Sequence, residues 1–176
     1  MEVYLLQAPY IYIAFDRVCG LGNALDVYWV GDRPKAAIAV RKGSFHAIFR
    51  VEWSNECLCA VHVSRNDTSL LLVSLYCQFA DEIDHDINSL NRVVDGNPNT
   101  PLLTGMDANA SSALWHSKDL STSRERDARG DILAEYMVRK GPLVFNEPSI
   151  FFTFARPVGN SDMDVTLTNT LFEQYS

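Results

Sequence analysis

Short alternations of apolar and polar residues dominate the first half of the chain. They predict strands over Val3 to Gln7, Lys35 to Val40, Ala47 to Val51, Cys57 to Val63 and Leu70 to Tyr76. The turn formers Gly31-Asp32, Lys42-Gly43 and Arg65-Asn66-Asp67 fall at the intervals of an antiparallel meander. Further on the spacing lengthens to three and four. Ile83, Ile87, Leu90 and Val94 predict a helix from about Asp84 to Asp95, stopped by Gly96-Asn97-Pro98. A second helix is predicted from about Asp127 to Lys140. Ile132, Leu133, Tyr136 and Met137 form its buried stripe, Asp127 and Asp131 suit its positive N-terminus, and Gly141 supplies a left-handed cap. Between the helices, Pro101 to Gly105 predicts a short buried strand that delivers Asp107 and Asn109 into a loop. Leu143 to Phe145 and Met163 to Leu167 predict two more strands. Both periods in one chain mean an α/β or α+β fold.

The chain's 176 residues suit a single domain spanning 1–176, and 47% hydrophobic with 21% charged residues excludes a disordered chain. The longest apolar stretch, Leu70 to Cys77, is interrupted by Ser74 and is too short for a membrane span. The N-terminus lacks the basic segment of a signal peptide, so an intracellular chain, nuclear or cytoplasmic and not secreted, is expected. Net charge is −7 with no Lys/Arg-rich block, so any nucleic-acid contact must be local. Cys19, Cys57, Cys59 and Cys77 lack paired C-x-x-C spacing, which leaves free thiols as the expectation.

The most informative stretch is Thr104-Gly-Met-Asp-Ala-Asn-Ala-Ser111. Asp107 and Asn109, two apart at the end of an apolar strand, put a carboxylate and an amide on one side of the chain. That pair suits a phosphate-cleaving site, with the carboxylate orienting a water and the amide holding a phosphate or metal-bound oxygen. The same residues also begin ordinary turns. Asp164 stands alone on one side of a strand whose Met163 and Val165 face the other. It suits a carboxylate that orients a histidine, or a solvated strand charge. Asp81-Glu-Ile-Asp-His-Asp86 matches a solvated helix start. Ser121 to Arg129, with three arginines, matches a polar loop at a helix entry, able to touch a DNA backbone.

Several landmarks occur in order along nearly the whole chain: Leu5-Leu-Gln-Ala-Pro-Tyr10, Lys35 to Val40, Leu72-Val-Ser-Leu-Tyr76, Gly105-Met-Asp-Ala-Asn-Ala110, Leu114-Trp-His-Ser117, Arg129-Gly130, Thr153-Phe154 and Ser161-Asp-Met-Asp-Val-Thr166. Together they resemble the endonuclease/exonuclease/phosphatase superfamily, and most closely the endonuclease domains of arthropod-type non-LTR (LINE) retrotransposons. The resemblance implies a four-layer α/β sandwich, two packed mixed or antiparallel sheets flanked by helices. It also implies metal-dependent DNA phosphodiester cleavage, with Mg²⁺ as cofactor, DNA as partner and a reverse-transcriptase domain in a full-length element. Carried over by position, Asp107 orients the attacking water, Asn109 binds phosphate, Tyr76 donates its hydroxyl to the phosphate and Asp164 holds the catalytic histidine. Asp107 and Asn109 are also the residues nearest the metal.

The sequence departs from that pattern in three ways. Ala8 stands where the family carries a metal-binding Glu after Gln7, and Glu2, on the same strand parity, lies too far away to replace it. The chain begins at the Gln7 strand, without the family's preceding strand and its Asn. It stops at Ser176, before the strand whose Ser-Asp-His motif brings the histidine; none of His46, His62, His85 or His116 follows such a motif. The expected fold is therefore incomplete at its terminal strands, with exposed sheet edges open to pairing, and cleavage is expected to be impaired. The alternatives are a non-catalytic pseudoenzyme that still binds DNA and a small-phosphoester phosphatase of the same superfamily.

Overall fold

The computed structural model describes residues 2–12, 17–117, 124–146, 154–156, 159–161 and 163–172. The chain opens with β1 (Val3–Gln7), a small ribbon of β2 (Ile11–Tyr12) and β3 (Arg17–Val18), then β4 (Leu25–Tyr28) and β5 (Ala36–Arg41). Three strands, β6 (His46–Phe49), β7 (Leu58–Arg65) and β8 (Thr68–Tyr76), lead to helix α1 (Ile83–Gly96). They are followed by β9 (Leu102–Asp107) and helix α2 (Arg124–Lys140). Last come β10 (Leu143–Val144), the ribbon of β11 (Phe154–Arg156) and β12 (Gly159–Ser161), and β13 (Asp164–Thr168). No helix among the described residues is long and apolar enough to cross a membrane.

Two sheets carry the fold. The smaller has the order β1-β5-β4 and is antiparallel; the larger has the order β10-β13-β9-β8-β7-β6. Within the larger sheet only β8 and β9 run parallel, joined by the α1 crossover that a parallel connection requires. Alternation then sorts the side chains into two cores. Cys59, Val61, Val63 and Leu72 meet Ala36, Ile38 and Val40 of β5 and Val3 and Leu5 of β1 between the sheets. Leu58, Ala60, Leu71, Val73, Leu75, Met106, Val165 and Leu167 face the other way, onto Ile87, Leu90 and Val93 of α1 and Leu133, Tyr136 and Met137 of α2. The expected two-sheet α/β sandwich with packed helices is the architecture observed, and both described helices lie against the six-stranded sheet.

The two cores explain where the expected elements shift. Lys42-Gly43 does turn the chain, with Gly43 at φ 74°, but β5 and β6 do not pair. The turn carries the chain from the small sheet to the large one, so the meander is limited to β6-β7-β8. Ile132 is 39% exposed and leaves the stripe of α2 to Leu133, Tyr136 and Met137. Gly141 caps that helix as expected, at φ 73°, its N–H donating to the Met137 carbonyl at 2.9 Å.

The sheets approach closely at Gly105. A methyl group there would lie 2.9 Å from Leu5 Cδ1 and 3.2 Å from Leu5 Cβ. Beside it, Gln7 Nε2 donates to the Gly105 carbonyl and to Ser74 Oγ, both at 3.0 Å, while Ser74 Oγ donates to the Leu6 carbonyl at 2.9 Å. Ser74, wholly buried, interrupts the apolar run of β8 for this reason: its hydroxyl ties β1 to the larger sheet.

Candidate phosphodiester site

Register brings three of the four expected site residues into one row. In the parallel pair β8–β9, Tyr76 is the partner of Asp107; in the antiparallel pair β13–β9, Asp164 is the partner of the same Asp107. Directly opposed residues on neighbouring strands point to the same face, with Cβ atoms about 5 Å apart. The row follows that of Ser74, Gly105 and Thr166 by two residues, so Tyr76, Asp107 and Asp164 share the face that meets the smaller sheet. All three are half-buried.

Asn109 joins them through the loop after β9. The Asp107 carboxylate accepts the Asn109 backbone N–H at 3.1 Å, closing an Asx turn, and Asn109 adopts φ 44°, a left-handed conformation that asparagine tolerates. Its side-chain Nδ2 donates to the Cys77 carbonyl at 3.0 Å, while the Cys77 N–H donates to the Asp107 carbonyl at 2.8 Å. The loops leaving β8 and β9 are thus stitched together directly above the row. The Ala108 N–H, bonded to the Met163 carbonyl at 2.9 Å, extends the stitching to β13.

Beneath the loops lies a buried polar group that the sequence conceals. Arg129, within the predicted helix but expected at its solvated entry, is 7% exposed inside α2. Its Nη1 donates to the Asp81 carbonyl, its Nη2 to the Gln78 carbonyl at 3.4 Å, and the guanidinium stands 5.7 Å from the Phe79 ring centroid. Ser121 to Ser123 and the side chains of Arg124 and Arg126 lie outside the described residues, as do Thr153 and Asp162. Asp86, expected at a solvated helix start, is likewise only 6% exposed. Burial raises its carboxyl to about 6; the positive charges of His85 and Arg129 pull it back, Asp81 pushes it up and a Cys77 hydrogen bond lowers it. Cys77 itself is pushed well up, first by burial and then by Asp86.

The raised Asp86 carboxyl sets the sign of a pH effect. A folded value near 6 against an unfolded value near 3.8 means that, between those values, the native state binds more protons than the unfolded chain. Stability from this group is present below about pH 4 and lost as pH rises through 6. Asp86→Asn is expected to stabilise the protein by about 3 kcal/mol at pH 8 and by less than about 1 kcal/mol at pH 4, measured by urea unfolding at both. Equal effects at the two pH values would show that Asp86 does not titrate as its burial requires.

Of the four histidines, none stands in the row. His62 points to the helix side of β7, between Val61 and Val63, and His46 is exposed on β6; His85 is in α1. His116, in a left-handed turn at φ 59°, is exposed. The donor set likewise does not fit a tightly held Mg²⁺. Ala8 leaves β1 at φ 47° with a methyl group where the family carboxylate would stand, and Asn109 turns its amide nitrogen to Cys77. Among the described residues no three His, Cys, Asp or Glu side chains converge as metal ligands.

Comparison with known proteins identifies the family. Over 103 residues, 57% of the chain, it is 41% identical to the retrovirus-related Pol polyprotein from type-1 retrotransposable element R1 of Bradysia coprophila. Over 104 residues it is 35% identical to the putative 115 kDa protein in type-1 retrotransposable element R1DM of Drosophila melanogaster. Each match spans 10% of the relative's length. Among solved structures, the endonuclease domain of TRAS1, a telomere-specific non-LTR retrotransposon, superposes with a TM-score of 0.79 at 26% identity, over 98% of this chain and 74% of that one. The family model described as endonuclease-reverse transcriptase matches residues 70–175, a stretch that begins in β8 and takes in Tyr76, Asp107, Asn109 and Asp164. The chain therefore belongs to the endonuclease-reverse transcriptase family.

Proposed function

We propose that this chain is a DNA endonuclease domain of a non-LTR retrotransposon whose phosphodiester site is the row Tyr76, Asp107 and Asp164 with Asn109 above it, and that its turnover is impaired. The observation that carries the reading is the shared register of Tyr76 and Asp164 with Asp107, from strands distant in sequence. In this site Asp107 orients the attacking water toward phosphorus. The Tyr76 hydroxyl donates to a non-bridging phosphate oxygen. Asn109 spends one amide proton on Cys77 and offers the other to the phosphate. Asp164, beside Asp107, is placed to orient a cationic or hydrogen-bonding partner.

The impairment rests on Ala8, which offers a methyl group where a metal-binding carboxylate is expected. Losing one electrostatic stabiliser of a transition state costs about two to three orders of magnitude in rate. Plasmid nicking in Mg²⁺ is therefore expected to stay near background and to change little in Asp107→Ala. Robust nicking abolished by Asp107→Ala would overturn the impairment and leave the site intact. The second reading, a non-catalytic DNA-binding module, is favoured by the same Ala8. It predicts DNA affinity that falls steeply with salt and is accompanied by no cleavage. In a full-length element the partner would be a reverse-transcriptase domain of the same polyprotein, and the outer strands β1 and β6 offer edges for further pairing.

A further inference from the structure

Two loops flank the row: residues 77–82 after β8 and residues 108–112 after β9. Both rest on the same turn of α2. The Arg129 fork holds the first loop by two of its carbonyls, at Gln78 and Asp81. The next residue, Gly130, holds the second by contact, since a Cβ on it would fall 1.7 Å from the Ser111 carbonyl oxygen. Between the loops runs the hydrogen bond from Asn109 Nδ2 to the Cys77 carbonyl. That bond keeps its length only while the two loops keep their spacing, and adjacent residues of one rigid helix set the spacing.

A guanidinium suits this task because its planar donors reach two carbonyls at once, whereas an ammonium head is a compact point charge. Its burial makes the arrangement stringent, because removing it strands the carbonyls it serves. The carbonyls that Arg129 serves belong to the loop after β8, so the route to the site argued here runs through that loop.

We propose that Arg129 is a positioning residue for Asn109: from α2 it fixes the loop after β8, and thereby the direction in which the Asn109 side chain points. The value of that direction rests on the reading of Asn109 as a phosphate donor; the positioning itself does not.

The test uses the full chain, ¹⁵N-labelled, with the Asn109 side-chain amide signal assigned by its loss in Asn109→Ala. In the wild type the amide is bonded to the Cys77 carbonyl and is expected to exchange slowly with water. In Arg129→Met, which keeps length and loses the donors, its exchange is expected to rise at least tenfold while the backbone amides of Leu72 and Val73 stay unchanged. Arg129→Lys, able to serve one carbonyl, is expected to recover part of the protection. An unchanged Asn109 amide in Arg129→Met overturns the proposal, and so does a rise shared equally by Leu72 and Val73. The site reading fails separately: if Asn109→Ala binds a DNA duplex at low salt as the wild type does, Asn109 is no phosphate donor, and the amide result still decides the role of Arg129.

Discussion

Gly130→Ala is expected to cost at least about 3 kcal/mol and to leave little folded protein at 37 °C. The added Cβ would lie 1.7 Å from Ser111 O, 2.7 Å from Ser111 C and 3.3 Å from Ser111 N. Those are backbone atoms, so no rotamer change relieves the clash; either α2 or the loop after β9 must move. Alanine ordinarily gains about 1 kcal/mol over glycine in a helix interior, and here the overlap exceeds that gain. Moving α2 would pull Leu133, Tyr136 and Met137 out of the core beneath the large sheet, while moving the loop would break the Asn109 bond to Cys77. Gly22→Ala is the control: a Cβ there meets nothing within 4 Å, and its stability should match the wild type. Equilibrium urea unfolding of both variants gives the answer. A Gly130→Ala protein within 1 kcal/mol of wild type would mean that α2 does not press on Ser111 in solution.

That glycine illustrates which parts of this fold are legible from sequence. Strand β1 is found residue for residue because Val3, Leu5 and Gln7 alternate toward the second sheet, and α1 because its apolar residues keep one helical face. Both are local periodicities. Pairing is not local: Lys42-Gly43 announces a reversal but not that β5 and β6 part to different sheets. Of the candidate site residues, Asp107 and Asn109 stand out as polar residues at the end of an apolar strand and Asp164 as a lone carboxylate on a strand, whereas Tyr76 is singled out only by the family resemblance. Their common row depends on the register of β8, β9 and β13, which the α1 crossover and the sheet core decide. Arg129 is least legible, because an arginine in a charged segment signals solvent. Only the tertiary fold supplies the two carbonyls that make its burial tolerable.

Ala8→Glu is expected to produce the largest change in activity. Position 8 immediately follows Gln7, whose amide bonds Ser74 and Gly105 in the row directly behind Tyr76 and Asp107. The clip therefore fixes the backbone at this point, and a side chain added at 8 starts from an anchored position. Ala8 already sits at φ 47°, so the strain of a left-handed residue is present in the wild type and the substitution adds little to it. The residue is exposed, which leaves room for a longer side chain and spares the carboxylate a burial penalty. A third carboxylate near Asp107 and Asp164 supplies the oxygen ligand that a hard divalent ion lacks here. Mn²⁺ binding, followed by paramagnetic resonance, is expected to appear in Ala8→Glu and to disappear again in Ala8→Glu with Asp107→Ala. Mg²⁺-dependent nicking should rise by about two orders of magnitude if the ion is the missing stabiliser. Binding without nicking would show that the ion is not the missing stabiliser, whereas no binding would show that position 8 does not face the row.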